Sequence, residues 1–254
     1  MARRFIFNHP KVVYDVDAQN YFTAGNITNP AVCVPINTFY VDAKSLGIYN
    51  KITAFYIFWQ GTSLTPKLNG VDPRDLDIAH RITYYVSPVI TPNGIDCTAG
   101  GAMLNIIPNV DLTLNDSHFS FYSQTNANGV LYDFYSAGCI QIFSRISDLF
   151  LSDSYNLTGG AGRVLGANTS SEGFFVASRL NAPTHTIYKN GVVVATNSTT
   201  DGALVPDMLY LGSNDSIGYS TREYSFASVG LGLTSTEVAD LNTLVSNLNT
   251  ALGR

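Results

Sequence analysis

Apolar residues in this sequence come in short β-branched or aromatic runs, and Gly, Pro or Asn cuts nearly every run before a long helix could form. The sharpest instance is Thr186-Ile187-Tyr188-Lys189-Asn190-Gly191-Val192-Val193-Val194. Asn-Gly between two β-rich runs is the preferred two-residue hairpin loop, because both central positions need φ > 0. The run Ile52-Thr53-Ala54-Phe55-Tyr56-Ile57-Phe58-Trp59 reads as a strand covered on both faces, and 81–86 as another. Leu112, Leu114, Phe119 and Phe121 alternate with polar neighbours, the pattern of half-buried strands. Further strands are expected at 130–135, 140–145, 174–179, 184–189, 209–211 and 224–229. A series of this kind predicts a mainly β fold, two antiparallel sheets packed face to face as a jelly-roll sandwich.

Three segments break the β pattern. Asp15 and Asp17 precede 18–24, and Gly25 follows, so a short capped helix is expected there. A second is expected from Asn37-Thr38 through Phe39, Val41, Ala43 and Leu46 to Gly47. The third, 235–252, is amphipathic and the best specified. Thr234 with Glu237 forms a capping box, Leu233 with Val238 a hydrophobic staple, and Val238, Leu241, Leu244, Val245, Leu248 and Leu252 one apolar stripe to lay on the sandwich.

A chain of 254 residues with 45% hydrophobic residues can bury a core without staples. We read 14–254 as one lectin-like β-sandwich domain and 1–13 as an N-terminal anchor or arm. Only 13% of residues are charged and the net charge is −5 with no basic run, which leaves nothing to grip a phosphate backbone and argues against nucleic acid as a partner. Cys33, Cys97 and Cys139 are odd in number and widely spaced, so they read as buried thiols rather than a disulfide framework. The apolar run after Arg3 and Arg4 stops at Asn8, too soon for a signal peptide, and no segment reads as a membrane span.

Residues able to do chemistry are scattered. Asp72, Asp75 and Asp77 cluster in a turn with Pro73 and Arg74, an oxygen-rich loop of the sort that can hold Ca²⁺, although its spacing is not an EF-hand and pairing with Arg74 is the alternative. No other cofactor is expected. His9, His80, His118 and His185 lack zinc spacing, and His118 reads as an exposed member of an alternating strand. No G-x-S-x-G elbow is present, and Gly159-Gly160-Ala161-Gly162 lacks the Lys-Ser/Thr of a phosphate loop. Of the acids in expected strands, only Asp133 and Glu223 could serve as a glycosidase pair. The chain therefore reads as non-enzymatic. Sugar binding suits it better, since pyranose CH faces stack on aromatic rings and the chain has 15 tyrosines. Trp59 is assigned to the core, and the loop residues Tyr155 and Tyr219 are the expected stacking platforms.

Several strings, spread over most of the chain, carry a resemblance. They are Tyr14-Asp15-Val16-Asp17-Ala18-Gln19, Ala43-Lys44-Ser45-Leu46-Gly47-Ile48-Tyr49-Asn50-Lys51, Val71-Asp72-Pro73-Arg74-Asp75-Leu76-Asp77, Gly173-Phe174-Phe175-Val176-Ala177-Ser178-Arg179, and the stretch from Phe226 to Arg254. The chain resembles virion surface proteins of tailed bacteriophages, in particular crAss-like and other phages of Bacteroidetes. Their modules are similar to laminin-G and concanavalin A-like lectin sandwiches. The resemblance implies a structural protein made in the host cytoplasm and exposed on the virion as a fibre tip, tail or capsid decoration. It also implies other virion proteins as partners, a homo-oligomer (a trimer by analogy with fibres) and adhesion to host surface glycans. Fibre tips usually follow a long shaft, whereas here only 1–13 precede the module. Arg3, Arg4 and Lys11, set among apolar residues, are the expected virion anchor, with a solvated or strand-adding tail as the alternative. A carbohydrate-binding module outside any virion, or a polysaccharide depolymerase, would share the fold.

Overall fold

The computed structural model describes residues 13–129, 131–156, 158–181, 183–200, 202, 207–215 and 218–254. Arg3, Arg4 and Lys11 lie outside them. In chain order the strands are β1 (Ile52–Ile57), β2 (Thr83–Tyr84), β3 (Val89–Ile90), β4 (Ile95–Asp96), β5 (Ala102–Met103), β6 (Asp116–Ser123), β7 (Phe134–Ser136) and β8 (Ile140–Ile146). They continue with β9 (Leu149–Ser152), β10 (Val164–Ala167), β11 (Gly173–Leu180), β12 (His185–Lys189), β13 (Val192–Asn197), β14 (Tyr210–Leu211) and β15 (Glu223–Gly230). The α-helices are α1 (Val16–Gly25), α2 (Pro30–Ser45), the single turn α3 (Pro108–Asp111) and α4 (Ser235–Ala251).

The strands form two antiparallel sheets, as the turn-punctuated sequence predicts. Sheet A runs β13-β12-β11-β6-β15-β4-β3, with β1 also paired to β15, and sheet B runs β10-β9-β8-β7-β14-β5-β2. Their facing sides share one core that includes Phe119, Phe121, Phe134, Ile142, Phe150, Phe175, Leu211 and Val229. The β12–β13 hairpin turns at Asn190 (φ 50°) and Gly191 (φ 79°), the two positive-φ positions expected of Asn-Gly.

The helices add a third layer. α1, α2 and α4 lie on the other side of sheet A and enclose a second core, in which Tyr21, Phe39, Tyr40, Leu241 and Val245 meet Phe55, Phe174, Val176 and Phe226. This corrects the reading of Phe119 and Phe121 as members of half-buried strands. β6 is buried on both faces, because helices cover the side that alternation assigns to solvent. β1 is likewise covered on both faces, with Ala54 and Tyr56 in the first core and Phe55 and Ile57 in the second. It sits at a sheet edge, and the edge is closed by a loop. Asn69 accepts from Phe55 N at 3.2 Å, and Gly70 N donates to Phe55 O at 2.8 Å. A Cβ at Gly70 would meet the Phe55 ring at 2.1 Å, so only glycine allows that approach. β1 stops at Ile57, and Trp59 is half-buried rather than a core residue.

The helix ends follow local chemistry. Asp15 caps α1 by accepting from Asp17 N and Ala18 N. α2 begins at Pro30, earlier than the expected Asn37-Thr38. Asn29 caps it and Pro30 occupies its first turn, where a missing N–H costs nothing, while Pro35 is carried inside. α4 has the predicted capping box, and Glu237 also pairs with Lys51 at 2.6 Å, tying the helix start to the root of β1. Burying Val238, Leu241, Leu244, Val245 and Leu248 contributes roughly 1.5–3 kcal/mol each. Cys33, Cys97 and Cys139 are buried.

Candidate functional site

The expected platforms separate. Tyr155 is a core residue, 2% exposed, with its hydroxyl donating to Pro108 O at 2.9 Å and burial raising its pKa. It cannot stack on a ligand, and that expectation is corrected. Tyr219 is half-buried and bridges to Ser213, just past β14.

The three aspartates do not converge. Asp72 is held by Arg74, which keeps its carboxyl below the usual range, while Asp75 and Asp77 both bind Arg81, at 2.9 and 2.7 Å. Two guanidinium groups thus occupy the oxygens that a calcium ion would need. No group of three His, Cys, Asp or Glu side chains gathers as a metal site among the described residues.

Buried polar groups are numerous and sealed. His118 lies under the start of α4 with no exposure, not on an open strand face. Its Nδ1 faces Leu231 O at 2.6 Å, and a carbonyl can only accept, so Nδ1 carries the proton and Nε2 accepts from Ser228 Oγ at 3.1 Å. Ser120 Oγ lies 2.6 Å beyond. A serine bonded to a neutral imidazole is half of a nucleophile pair, but all three residues are sealed from solvent and no substrate could reach them. Burial pulls the His118 pKa down to about 4 and that of His185, between the sheets beside Ser152, down to about 3.

The glycosidase pair is not assembled either. Asp133 is fully buried and held by Arg222 at 3.3 Å, Tyr224 Oη at 2.6 Å and Ser144 N. Glu223 projects from the opposite side of β15 to Tyr224 and accepts from Thr91.

What the topology does assemble is a row of aromatic side chains on the open side of sheet B. On each strand one neighbour points to the core, namely Phe134, Leu211, Ala102 and Ile142, so Tyr135, Tyr210, Met103 and Phe143 point outward. Register sets them side by side, with Tyr135 opposite Tyr210, Tyr210 opposite Met103, and Met103 opposite Thr83. Ring centroids step from Tyr85 to Tyr210 by 6.1 Å, on to Tyr135 by 6.4 Å, to Tyr132 by 4.7 Å and to Phe143 by 4.5 Å, with neighbouring planes 28–45° apart. Tyr85 is 52% exposed, Tyr132 and Tyr135 are half-buried, and Tyr210 and Phe143 form the floor. Burial raises the phenol pKa values of Tyr132, Tyr135 and Tyr210, so all three hydroxyls stay protonated and can donate and accept. Asp207 and Asp215 lie close enough for their charges to act on Tyr135 and Tyr210, and an Arg163–Asp153 pair flanks Tyr132. Aromatic bodies with hydroxyl and carboxylate edges suit a ligand that is apolar on its ring faces and hydroxylated at its rim.

Sequence reading missed this row. The outward positions are separately unremarkable, and Tyr132, Tyr135 and Tyr210 sit within runs that read as ordinary strands; only sheet order brings them together.

No protein-family model and no curated protein matches the chain. Among solved structures it is similar to the botulinum neurotoxin serotype D binding domain, at 9% identity and TM-score 0.55, over 78% of this chain and 52% of that one. It is similar to the binding domain of botulinum neurotoxin DC in complex with SialylT, at 10% identity and TM-score 0.50, over 79% and 52%. It is also similar to domain 4 of AbnA, a GH43 extracellular arabinanase from Geobacillus stearothermophilus, in complex with arabinotriose, at 13% identity and TM-score 0.50, over 76% and 98%. The chain spans about half the length of the neurotoxin binding domains and nearly all of the arabinanase domain. At these identities the likeness is one of fold: what the chain shares with all three is the antiparallel β-sandwich.

Proposed function

We propose that this protein is a non-enzymatic adhesion module that holds a glycan on the tyrosine row of sheet B, and that it does so as an exposed structural component of a tailed-phage virion. The observation that carries the binding reading is the row itself. Tyr85, Tyr210, Tyr135 and Tyr132 follow one another at 4.7–6.4 Å on the side of sheet B away from the core. A structure of similar fold in complex with arabinotriose, a ligand without acidic groups, supports it. The virion setting is supported by the sequence strings from Tyr14 to Arg254, and a symmetric oligomer, trimeric by analogy, would multiply weak single-site contacts into firm attachment.

Calorimetry against host surface oligosaccharides tests the first part. Tyr135→Ala and Tyr85→Ala should each weaken binding at least about tenfold, while Tyr155→Phe, in the core, should leave it unchanged. Unchanged affinity in both row variants would remove the site. Mass spectrometry of purified particles tests the second part. A module that binds glycan but is missing from the particles would be a carbohydrate-binding module outside the virion.

A further inference from the structure

The charge around the tyrosine row is one-sided. Residues 82–144 and 190–221 supply Tyr85, Met103, Tyr132, Tyr135 and Tyr210, and neither stretch contains a lysine or an arginine. The same stretches carry Asp207 and Asp215. Asp207 is fixed beside the row, because its Oδ1 accepts from Met208 N at 2.8 Å and its Oδ2 from Ala137 N at 3.3 Å. Asp215 is exposed, in a left-handed turn (φ 61°) after β14. Among the described residues three cations come near. Arg145, two positions past Phe143 on β8, is held by Asp148 and Asn126, Arg163 is clamped to Asp153, and Lys67 lies over the ring of Tyr84, the core-facing neighbour of Tyr85. None of the three offers an uncommitted positive charge to an incoming anion. A site for an acidic sugar would need the reverse, an Arg or Lys facing the carboxylate or sulfate. Two carboxylates with no opposing cation act as the repulsive element that sets specificity.

We infer that the ligand of the tyrosine row is an uncharged glycan, and that glycans bearing carboxylate, sulfate or sialic acid groups are rejected. This rests on the row being the carbohydrate site, and the two ideas fail separately. The test uses the full chain and pairs of oligosaccharides with one backbone, each neutral or carrying an acidic substituent, at low and at physiological salt. The neutral member of each pair should bind at least tenfold more tightly. That ratio should shrink in Asp215→Asn and further in Asp207→Asn/Asp215→Asn, and it should shrink as salt screens the repulsion. Asn suits position 215 because it tolerates the left-handed conformation. Acidic members binding as tightly as neutral ones, with Tyr135→Ala still abolishing binding, would overturn the specificity and leave the site standing. Binding of either member that ignores Tyr135→Ala and Tyr85→Ala, or no binding to any pair, would overturn both.

Discussion

On sheet A the outward side chains Phe174, Val176 and Phe226 lie under α1, α2 and α4, whereas on sheet B the outward Tyr85 is exposed and Tyr135 half-buried, with Tyr210 buried between them. Both faces follow the same period-two rule and both carry aromatics. The difference lies in what comes next in the chain. The covered face carries Phe174, Val176 and Phe226 together with Tyr188 and the mutually bonded His118, Ser120 and Ser228, and it is closed by helices drawn from both ends of the sequence. The open face is Tyr, whose hydroxyl is as comfortable in water as its ring is on protein. The polar groups of the covered face are bonded to one another and to the backbone, whereas the outward tyrosines keep hydroxyls that can meet something else.

That contrast can be broken by experiment. The largest effect expected is on the covered side. Phe226→Ala removes a ring that contacts Phe39, Phe55 and Phe174 and should cost about 3–5 kcal/mol in urea unfolding, while Tyr135→Ala on the open side should cost about 1 kcal/mol. Equal losses would mean that the two faces are equally structural. Next comes acid. With His118 held near 4 in the fold and near 6.5 in the unfolded chain, only the unfolded chain takes up that proton as pH falls from about 6.5 to 4. Its contribution is intact above pH 6.5, and on the order of 3 kcal/mol is lost by pH 4. The His118 imidazole resonances should stay unmoved between pH 7 and 5; a midpoint near 6.5 would mean that α4 does not seal it. The smallest effect is at the cap. Thr234→Ala should lower stability by about 1 kcal/mol, through the helix alone, without changing glycan affinity. A change in affinity there would couple the helical layer to the open face.

How much the sequence revealed depended on distance along the chain. The capping box at Thr234 and the turn at Asn190-Gly191 lie within a few residues, where chemistry and conformation determine each other, and both appear as read. The expected start of α2 at Asn37-Thr38 is late, because its cap signal, Asn29-Pro30, lies a full two turns ahead of it and Pro35 is carried inside the helix. Alternation and loop position put His118 and Tyr155 on the surface, because neither signal says anything about a helix layer or a loop folded inward. The tyrosine row draws on residues from Tyr85 to Tyr210, and no local pattern can announce a neighbourhood that exists only once β2, β5, β14 and β7 are side by side. The calcium reading turned on the same point, since Arg81, which binds Asp75 and Asp77, follows the acidic turn rather than lying within it.

The pairing of β1 with β15 joins residues 52–57 to 226–230, and it sets a timetable for synthesis. The ribosome must deliver almost everything between those strands before sheet A can complete its middle. Until then Phe55 has Phe39 and Tyr40 of α2 and the loop at Asn69-Gly70 for company, but the edge of β1 that takes β15, and its Ala54 and Tyr56 face, wait for the sheet. A contact that spans so much of the chain is slow to form, and an apolar strand left waiting is an adhesive edge for its neighbours on a polysome. Production of this protein is therefore governed less by the stability of the finished molecule than by how well its first strand is kept company until its last one arrives.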